Sequence, residues 1–114
     1  MELFLKKYII RRFIFLSAKP KDPIQVIVSP KTLNVPVGSP AKFLCSAKSD
    51  TSYNIVWTMG LSSPLPLGAF DDKGVLMIPD SRRFHTGSYT CTVSNEFSSD
   101  QGSVQLRVGG KNID

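Results

Sequence analysis

Apolar and polar residues alternate along several short stretches of the chain, a period of two that is typical of β-strands with one buried face. Gly and Pro, with eight of each, interrupt these stretches and leave no helical period of useful length. The polar stretches 60–68 and 95–102 are predicted to be turns or loops. The pattern predicts an all-β antiparallel sandwich or barrel of about seven to eight short strands. The positions that it places on inward faces are Ala41, Phe43, Cys45, Ala47, Ile55, Trp57, Met59, Leu76, Ile78, Tyr89, Cys91, Val93, Val104, Leu106 and Val108.

The first part of the domain carries a less regular pattern. Residues 24–29 are rich in β-branched side chains and end at Pro30, and residues 33–37 include Pro36. Proline within a strand is typical of an edge position, because its nitrogen cannot donate a hydrogen bond to a neighbouring strand. We therefore interpret the two pieces as one edge strand in two halves with a kink.

The N-terminal stretch is apolar but carries Lys6-Lys7 and Arg11-Arg12, so it does not fit the mostly uncharged run of about twenty residues that a membrane span needs. Three interpretations stay open: an atypical secretory leader, the start of a fragment or gene model, and a membrane-surface segment. The predicted organisation is a leader at 1–18, a linker at 19–23, the domain at 24–108 and a tail at 109–114.

The formal net charge of +5 does not come from the domain. Residues 22–110 contain seven basic and seven acidic side chains and are neutral overall. Because polyanion binding requires several cations acting together, no nucleic-acid partner and no strong heparin binding are expected from the domain. The adjacent pair Arg82 and Arg83 is the best candidate for a weak polyanion contact.

Candidate chemistry is sparse. There is no nucleophile elbow, phosphate loop or metal-ligand cluster in the sequence, and His85 is the only histidine. Asp71 and Asp72 are interpreted as marking a turn before a glycine rather than a calcium site. The two cysteines are 46 positions apart, which fits neither a zinc site nor a redox pair. They are therefore two buried thiols or one long-range disulfide, and no catalytic residue, cofactor or metal is expected.

Residues spread over most of the chain resemble the immunoglobulin superfamily, in particular its intermediate (I-type) set. The pattern is Ala41-x-Phe43-x-Cys45, then Trp57, then Leu76-x-Ile78, then Gly87-x-Tyr89-x-Cys91. The resemblance implies a two-sheet antiparallel Greek-key sandwich in which a Cys45–Cys91 disulfide joins the sheets. It also implies that Trp57 packs on the bridge and that the Tyr89 hydroxyl bonds upstream backbone as a tyrosine corner. The further core positions that it implies are Phe43, Leu76, Ile78 and Leu106.

The run from Trp57 to Asn95 is also similar to the repeated modules of basement-membrane proteoglycans of the perlecan type. Two positions depart from the family pattern. His85 stands where the family usually has Asp, and Ser81 stands where an apolar residue is usual. Since the usual Asp often pairs with a basic residue, the loop from Asp80 to Thr86 is predicted to be looser than in relatives.

The function implied is that of a non-catalytic extracellular module for protein–protein contact or for spacing in a matrix or cell-adhesion protein. Neighbouring Ig domains are expected partners if the chain belongs to a longer array. Two alternatives remain: an intracellular, titin-like sarcomeric or cytoskeletal domain with reduced cysteines, and a secreted single-domain immune-type or decoy receptor fragment. Sequence does not name the partner, because binding surfaces on such a scaffold vary freely.

Overall fold

Eight strands and one short 3₁₀ turn make up the fold in a computed structural model, which describes residues 23–109. The predicted leader and most of the linker lie outside the described residues. The strands are β1 (Gln25–Ser29), β2 (Thr32–Val35), β3 (Ala41–Lys48), β4 (Asn54–Met59), β5 (Phe70–Asp72), β6 (Val75–Ile78), β7 (Gly87–Ser94) and β8 (Ser99–Val108). The 3₁₀ turn, Arg83–His85, lies between β6 and β7.

The strands form two four-stranded sheets, with the orders β1-β3-β6-β5 and β2-β8-β7-β4. All neighbours are antiparallel except β2 and β8, which run parallel. Consecutive strands lie in opposite sheets except for the pairs β5-β6 and β7-β8, which are neighbours within one sheet. This mixture of crossings and hairpins is typical of a Greek-key sandwich. The predicted all-β sandwich of seven to eight strands is confirmed.

The two halves of the first strand lie in different sheets, which corrects the interpretation of a single kinked edge strand. β1 pairs with β3, whereas β2 pairs with β8 of the opposite sheet. The change of sheet falls at Pro30, which follows a cis peptide bond. Both halves are at sheet edges, as the prolines indicated.

The stretch 95–102, predicted to be a turn, contains strand residues. β8 begins at Ser99, so the predicted turn at 95–102 is wrong over its second half. The inward positions in this part of β8 are Asp100 and Gly102. Because neither is a large apolar residue, the alternation that predicts a strand is absent from the sequence here. The Asp100 carboxylate accepts a hydrogen bond of 3.0 Å from the Val26 amide, and a Cβ on Gly102 would approach Val28 Cγ1 to 3.1 Å. Asp100 and Gly102 therefore bring β1 close across the sandwich.

The core lies between the sheets and is built from the inward positions of the strands. Its fully buried members include Phe43, Leu76, Ile78, Cys91 and Val104. Burying a side chain of this size contributes roughly 1.5–3 kcal/mol relative to leaving it exposed, which makes this layer the main source of stability. The alternation of β3, with Ala41, Phe43 and Cys45 buried and the residues between them exposed, matches the pattern read from sequence.

The chain enters and leaves the sandwich at opposite ends. At one end, the Ile24 amide donates a hydrogen bond of 3.0 Å to the Ser98 hydroxyl, next to the start of β8. At the other, the Gly109 amide donates to the Val35 carbonyl at 2.9 Å, where β8 ends. The length of β8, ten residues or about 33 Å, separates these two ends.

Candidate interaction surface

A disulfide joins the two sheets at the centre of the core. Cys45 of β3 and Cys91 of β7 are bonded, with their Cα atoms 6.6 Å apart. Trp57 is the cross-strand partner of Cys91, and its indole nitrogen donates a hydrogen bond of 3.0 Å to the Gly74 carbonyl. The Phe43 ring lies 6.4 Å from the Trp57 ring. The disulfide predicted from the resemblance is confirmed, and it fixes the framework on which both outer faces are displayed.

Tyr89 forms the hydrogen bond expected of a tyrosine corner. Its hydroxyl donates to the His85 carbonyl at 2.5 Å, and the side chain is fully buried. Burial raises the pKa of Tyr89 to about 12. The group therefore stays protonated over the physiological range and keeps its donor role.

The His85 side chain bonds backbone groups through both ring nitrogens, and a looser Asp80–Thr86 loop stays a prediction. The side chain is buried, and Nδ1 accepts a hydrogen bond of 2.8 Å from the Arg82 amide. Since Nδ1 is the acceptor, Nε2 carries the proton and donates to the Leu67 carbonyl at 2.9 Å. An imidazole with two partners thus replaces the ionic contact that an Asp would make, and it ties the 60–68 loop to the 3₁₀ turn.

Ser81 is buried without a partner for its hydroxyl. The residue is fully buried, and its Oγ has no hydrogen bond within residues 23–109. Its backbone is held firmly, since its amide donates to the Ser39 carbonyl at 3.1 Å and its carbonyl accepts from the Gly38 amide at 2.7 Å. The family's apolar position is therefore still a core position in this chain, occupied by a polar group.

The two adjacent arginines point to different parts of the surface. Arg82 forms an ion pair of 2.7 Å with Asp80, and both side chains are more than half exposed. The guanidinium of Arg83 lies against Gly109, where an added Cβ would approach Nη1 to 2.8 Å. Within the described residues no group of three or more His, Cys, Asp or Glu side chains could hold a metal ion. Nor is any helix in this part of the chain long and apolar enough to cross a membrane.

The outer face of the sheet β2-β8-β7-β4 is mainly polar and uncharged. Gln105 donates to the Ser88 hydroxyl at 2.6 Å, and Gln101 donates to the Thr92 hydroxyl at 3.3 Å. These side chains satisfy one another across the strands, so this face is well suited to contact with water.

The outer face of the sheet β1-β3-β6-β5 is apolar by comparison. Ile27, Leu44 and Phe70 are 49%, 51% and 48% exposed, and Val75 and Met77 are half-buried beside them. This surface was not predicted from the sequence pattern. The signal was apolar residues at positions between the inward ones, but only the strand register shows that they share one face.

The sandwich, its bridge and its tyrosine corner define a domain of the immunoglobulin class. The immunoglobulin-domain family profile matches residues 23–95, and the chain belongs to this family. The mouse basement membrane-specific heparan sulfate proteoglycan core protein is 36% identical over 100 residues, which cover 86% of this chain and 3% of that protein. The chicken neuronal cell adhesion molecule is 30% identical over 97 residues, covering 82% of this chain and 8% of that protein.

Solved structures show the same fold. The N-terminal four Ig domains of Dscam1 isoform 1.9 match with a TM-score of 0.68 at 24% identity, over 84% of this chain and 23% of that one. Tandem Ig repeats of Dlar match with a TM-score of 0.64 at 21% identity, over 83% of this chain and 53% of that one. The resemblance to Ig modules of basement-membrane proteoglycans is confirmed by the mouse proteoglycan match. The chain spans only 3% of that proteoglycan and 8% of the neuronal cell adhesion molecule.

Proposed function

We propose that this chain acts as a non-catalytic, extracellular Ig-like module that makes protein–protein contacts or sets spacing within a matrix or cell-adhesion protein. The observation that carries the proposal is the combination of a core disulfide with a domain that the chain enters at one pole, near Ile24, and leaves at the other, near Gly109. The Cys45–Cys91 bridge fits an oxidising compartment, because cytosolic proteins rarely keep a structural disulfide. The relatives that support the proposal are a basement-membrane proteoglycan core protein and a neuronal cell adhesion molecule.

The path of the chain supports a role in spacing. The ends near Ile24 and Gly109 are separated by the length of β8, so a neighbouring module attached at either end would continue along the long axis. Domains joined in this way extend an array by about 33 Å or more each. A domain with both ends on one pole would fold the array back instead.

The thiol state tests the compartment. We expect chain purified from cells under non-reducing conditions to resist alkylation in denaturant and to gain two labels after reduction, measured by intact mass. The Cys45→Ala variant is the matched control, because it leaves Cys91 unpaired and must gain one label in denaturant without reductant.

Two labels on the unreduced chain in denaturant would contradict the extracellular proposal and favour the intracellular, sarcomeric alternative. N-terminal sequencing of secreted material gives a second readout, since a cleaved leader leaves a new N-terminus near Lys19. Secreted chain that binds a receptor ligand as a single domain would instead favour the decoy-receptor alternative.

A further inference from the structure

The apolar outer face of β1-β3-β6-β5 has a definite arrangement that the strand register supplies. Leu44 of β3 lies opposite Val75 of β6, which in turn lies opposite Asp72 of β5. In the next outward row, Lys42, Met77 and Phe70 are aligned in the same way. Residues directly opposite in an antiparallel pair point to the same side of the sheet, so these six side chains share the outer face.

The apolar members of this face form a diagonal stripe. Ile27 of β1 lies opposite Ser46 of β3. Ser46 is the outward neighbour of Leu44 along β3, so Ile27 and Leu44 are diagonal neighbours on the outer face. The stripe runs from Ile27 through Leu44 and between Val75 and Met77 to Phe70, crossing all four strands. Its three most exposed members each leave about half of the side chain in water. Apolar patches of this kind on a soluble domain mark interaction sites.

Charges of opposite sign flank the stripe at equal distances. Lys42 lies on one side and Asp72 on the other, two strands and two residues apart, or about 12 Å. Both are exposed, and neither has an ion pair within the described residues. The midpoint between them falls between Val75 and Met77, on the stripe itself.

We propose that this face binds a second copy of the chain around a two-fold axis that lies along the stripe. Rotation about that axis places Lys42 of each copy opposite Asp72 of the other and stacks the two stripes on one another. A surface whose two charges exchange places under a two-fold rotation is self-complementary, which is the requirement for an isologous dimer. The inference rests on the proposed function, for which it names a partner and a face.

The size of the face indicates a weak dimer. Four strands about 4.8 Å apart, crossed by a longest strand of eight residues at about 3.3 Å each, give a footprint of roughly 500 Å² per copy. Two such footprints total about 1,000 Å², the lower end of the range for specific interfaces. Contact of this strength suits repeated modules that act together, because linked weak sites combine into a strong attachment.

A charge-exchange experiment with the full chain tests the arrangement. Lys42→Asp and Asp72→Lys should each weaken self-association about tenfold or more in sedimentation equilibrium, because each places like charges opposite one another. An equimolar mixture of the two variants should associate again, since both cross-pairs are then attractive. Weakening in each single variant together with recovery on mixing is the result expected for contact between residues 42 and 72 of different copies, because contact of each residue with its own counterpart would not weaken the single variants.

Leu44→Lys tests the stripe, and Val56→Lys is its matched control. Val56 is 53% exposed on the other outer face, so the same charge enters a similarly exposed position outside the proposed interface. We expect Leu44→Lys to abolish measurable dimer and Val56→Lys to leave it unchanged, with both unfolding at similar urea concentration. Residues 1–22 are identical in every variant, so they cannot account for the difference.

A chain that stays monomeric into the submillimolar range would overturn the inference, as would association that survives Leu44→Lys or fails to recover on mixing. Any of these results would show that the face does not bind a second copy in the proposed way. None of them would affect the disulfide test of the proposed function. Free thiols in a chain that still dimerises would overturn the proposed function alone.

Discussion

Removing either of two buried hydroxyls, one hydrogen-bonded and one not, should change the free energy of unfolding of this domain in opposite directions. Ser81→Ala deletes a fully buried hydroxyl that has no partner within the described residues. Burying such a group without a hydrogen bond costs roughly 1–3 kcal/mol, and most of that cost is recovered when the oxygen is removed. We expect the free energy of unfolding to rise by about 1 kcal/mol, which corresponds to a Tm increase of about 4–8 °C for a domain of this size.

Tyr89→Phe is the matched comparison. It removes a hydroxyl that is equally buried but donates to the His85 carbonyl. The free energy of unfolding should fall by about 1–2 kcal/mol, because a net favourable hydrogen bond is lost and an acceptor is left in the core.

Urea unfolding followed by the fluorescence of Trp57, the single tryptophan, measures both variants under oxidising conditions. The m-value should stay constant, so that midpoint shifts report stability alone. A Ser81→Ala chain that is less stable than the parent by more than about 0.5 kcal/mol would refute the reasoning, since a hydroxyl that contributes stability must have a partner in solution.

Three further predictions follow from the bridge, the tyrosine corner and the charge distribution. Reduction of Cys45–Cys91 removes the loop constraint that the disulfide places on the unfolded chain. The chain-entropy value for 46 residues predicts that the free energy of unfolding falls by about 4 kcal/mol, which urea unfolding with and without reductant measures. Because the folded pKa of Tyr89 is about 12 and the ordinary value is 10.0, its contribution is full below pH 10 and is lost as pH rises from 10 towards 12. Tyr89→Phe should therefore flatten the alkaline fall in stability. On a heparin column, a chain beginning at Asp22 should elute below physiological salt and the full chain slightly above it; retention of the shorter chain would reveal a folded basic patch that includes Arg82 or Arg83.

The strands whose inward positions are apolar could be predicted from the sequence. β3 and β7 alternate in sequence, and the inward residues Ala41, Phe43 and Cys45 of β3 and Tyr89, Cys91 and Val93 of β7 are buried. β5 was missed because its three residues include two adjacent carboxylates, which read as a turn. The start of β8 was missed for another reason: the Asp100 carboxylate lies inward and accepts a hydrogen bond from the Val26 amide, a tertiary contact that no local pattern contains.

The candidate surface could not be predicted for a similar reason. In β1 the inward Val26 and Val28 flank the outward Ile27, so residues 26–28 are all apolar and the sequence does not distinguish the outer face from the inner one. His85 was expected to weaken its loop because only the missing ion pair was visible, whereas its two hydrogen bonds depend on backbone groups brought together by the fold. Sequence thus predicted which faces form the core, and the register was needed to show what the other faces carry.

The parallel pairing of β2 with β8 determines how the domain would carry a pulling force. A load applied through the two ends draws β2 back towards Ile24 and β8 onward past Gly109, so the two parallel strands are pulled past one another. Their register, from Thr32 opposite Gln105 to Val35 opposite Val108, loads the hydrogen bonds of this patch together rather than one after another. The hydrogen bonds between β2 and β8 would therefore resist extension together and break together. A string of such modules under tension would lengthen in steps, one module at a time.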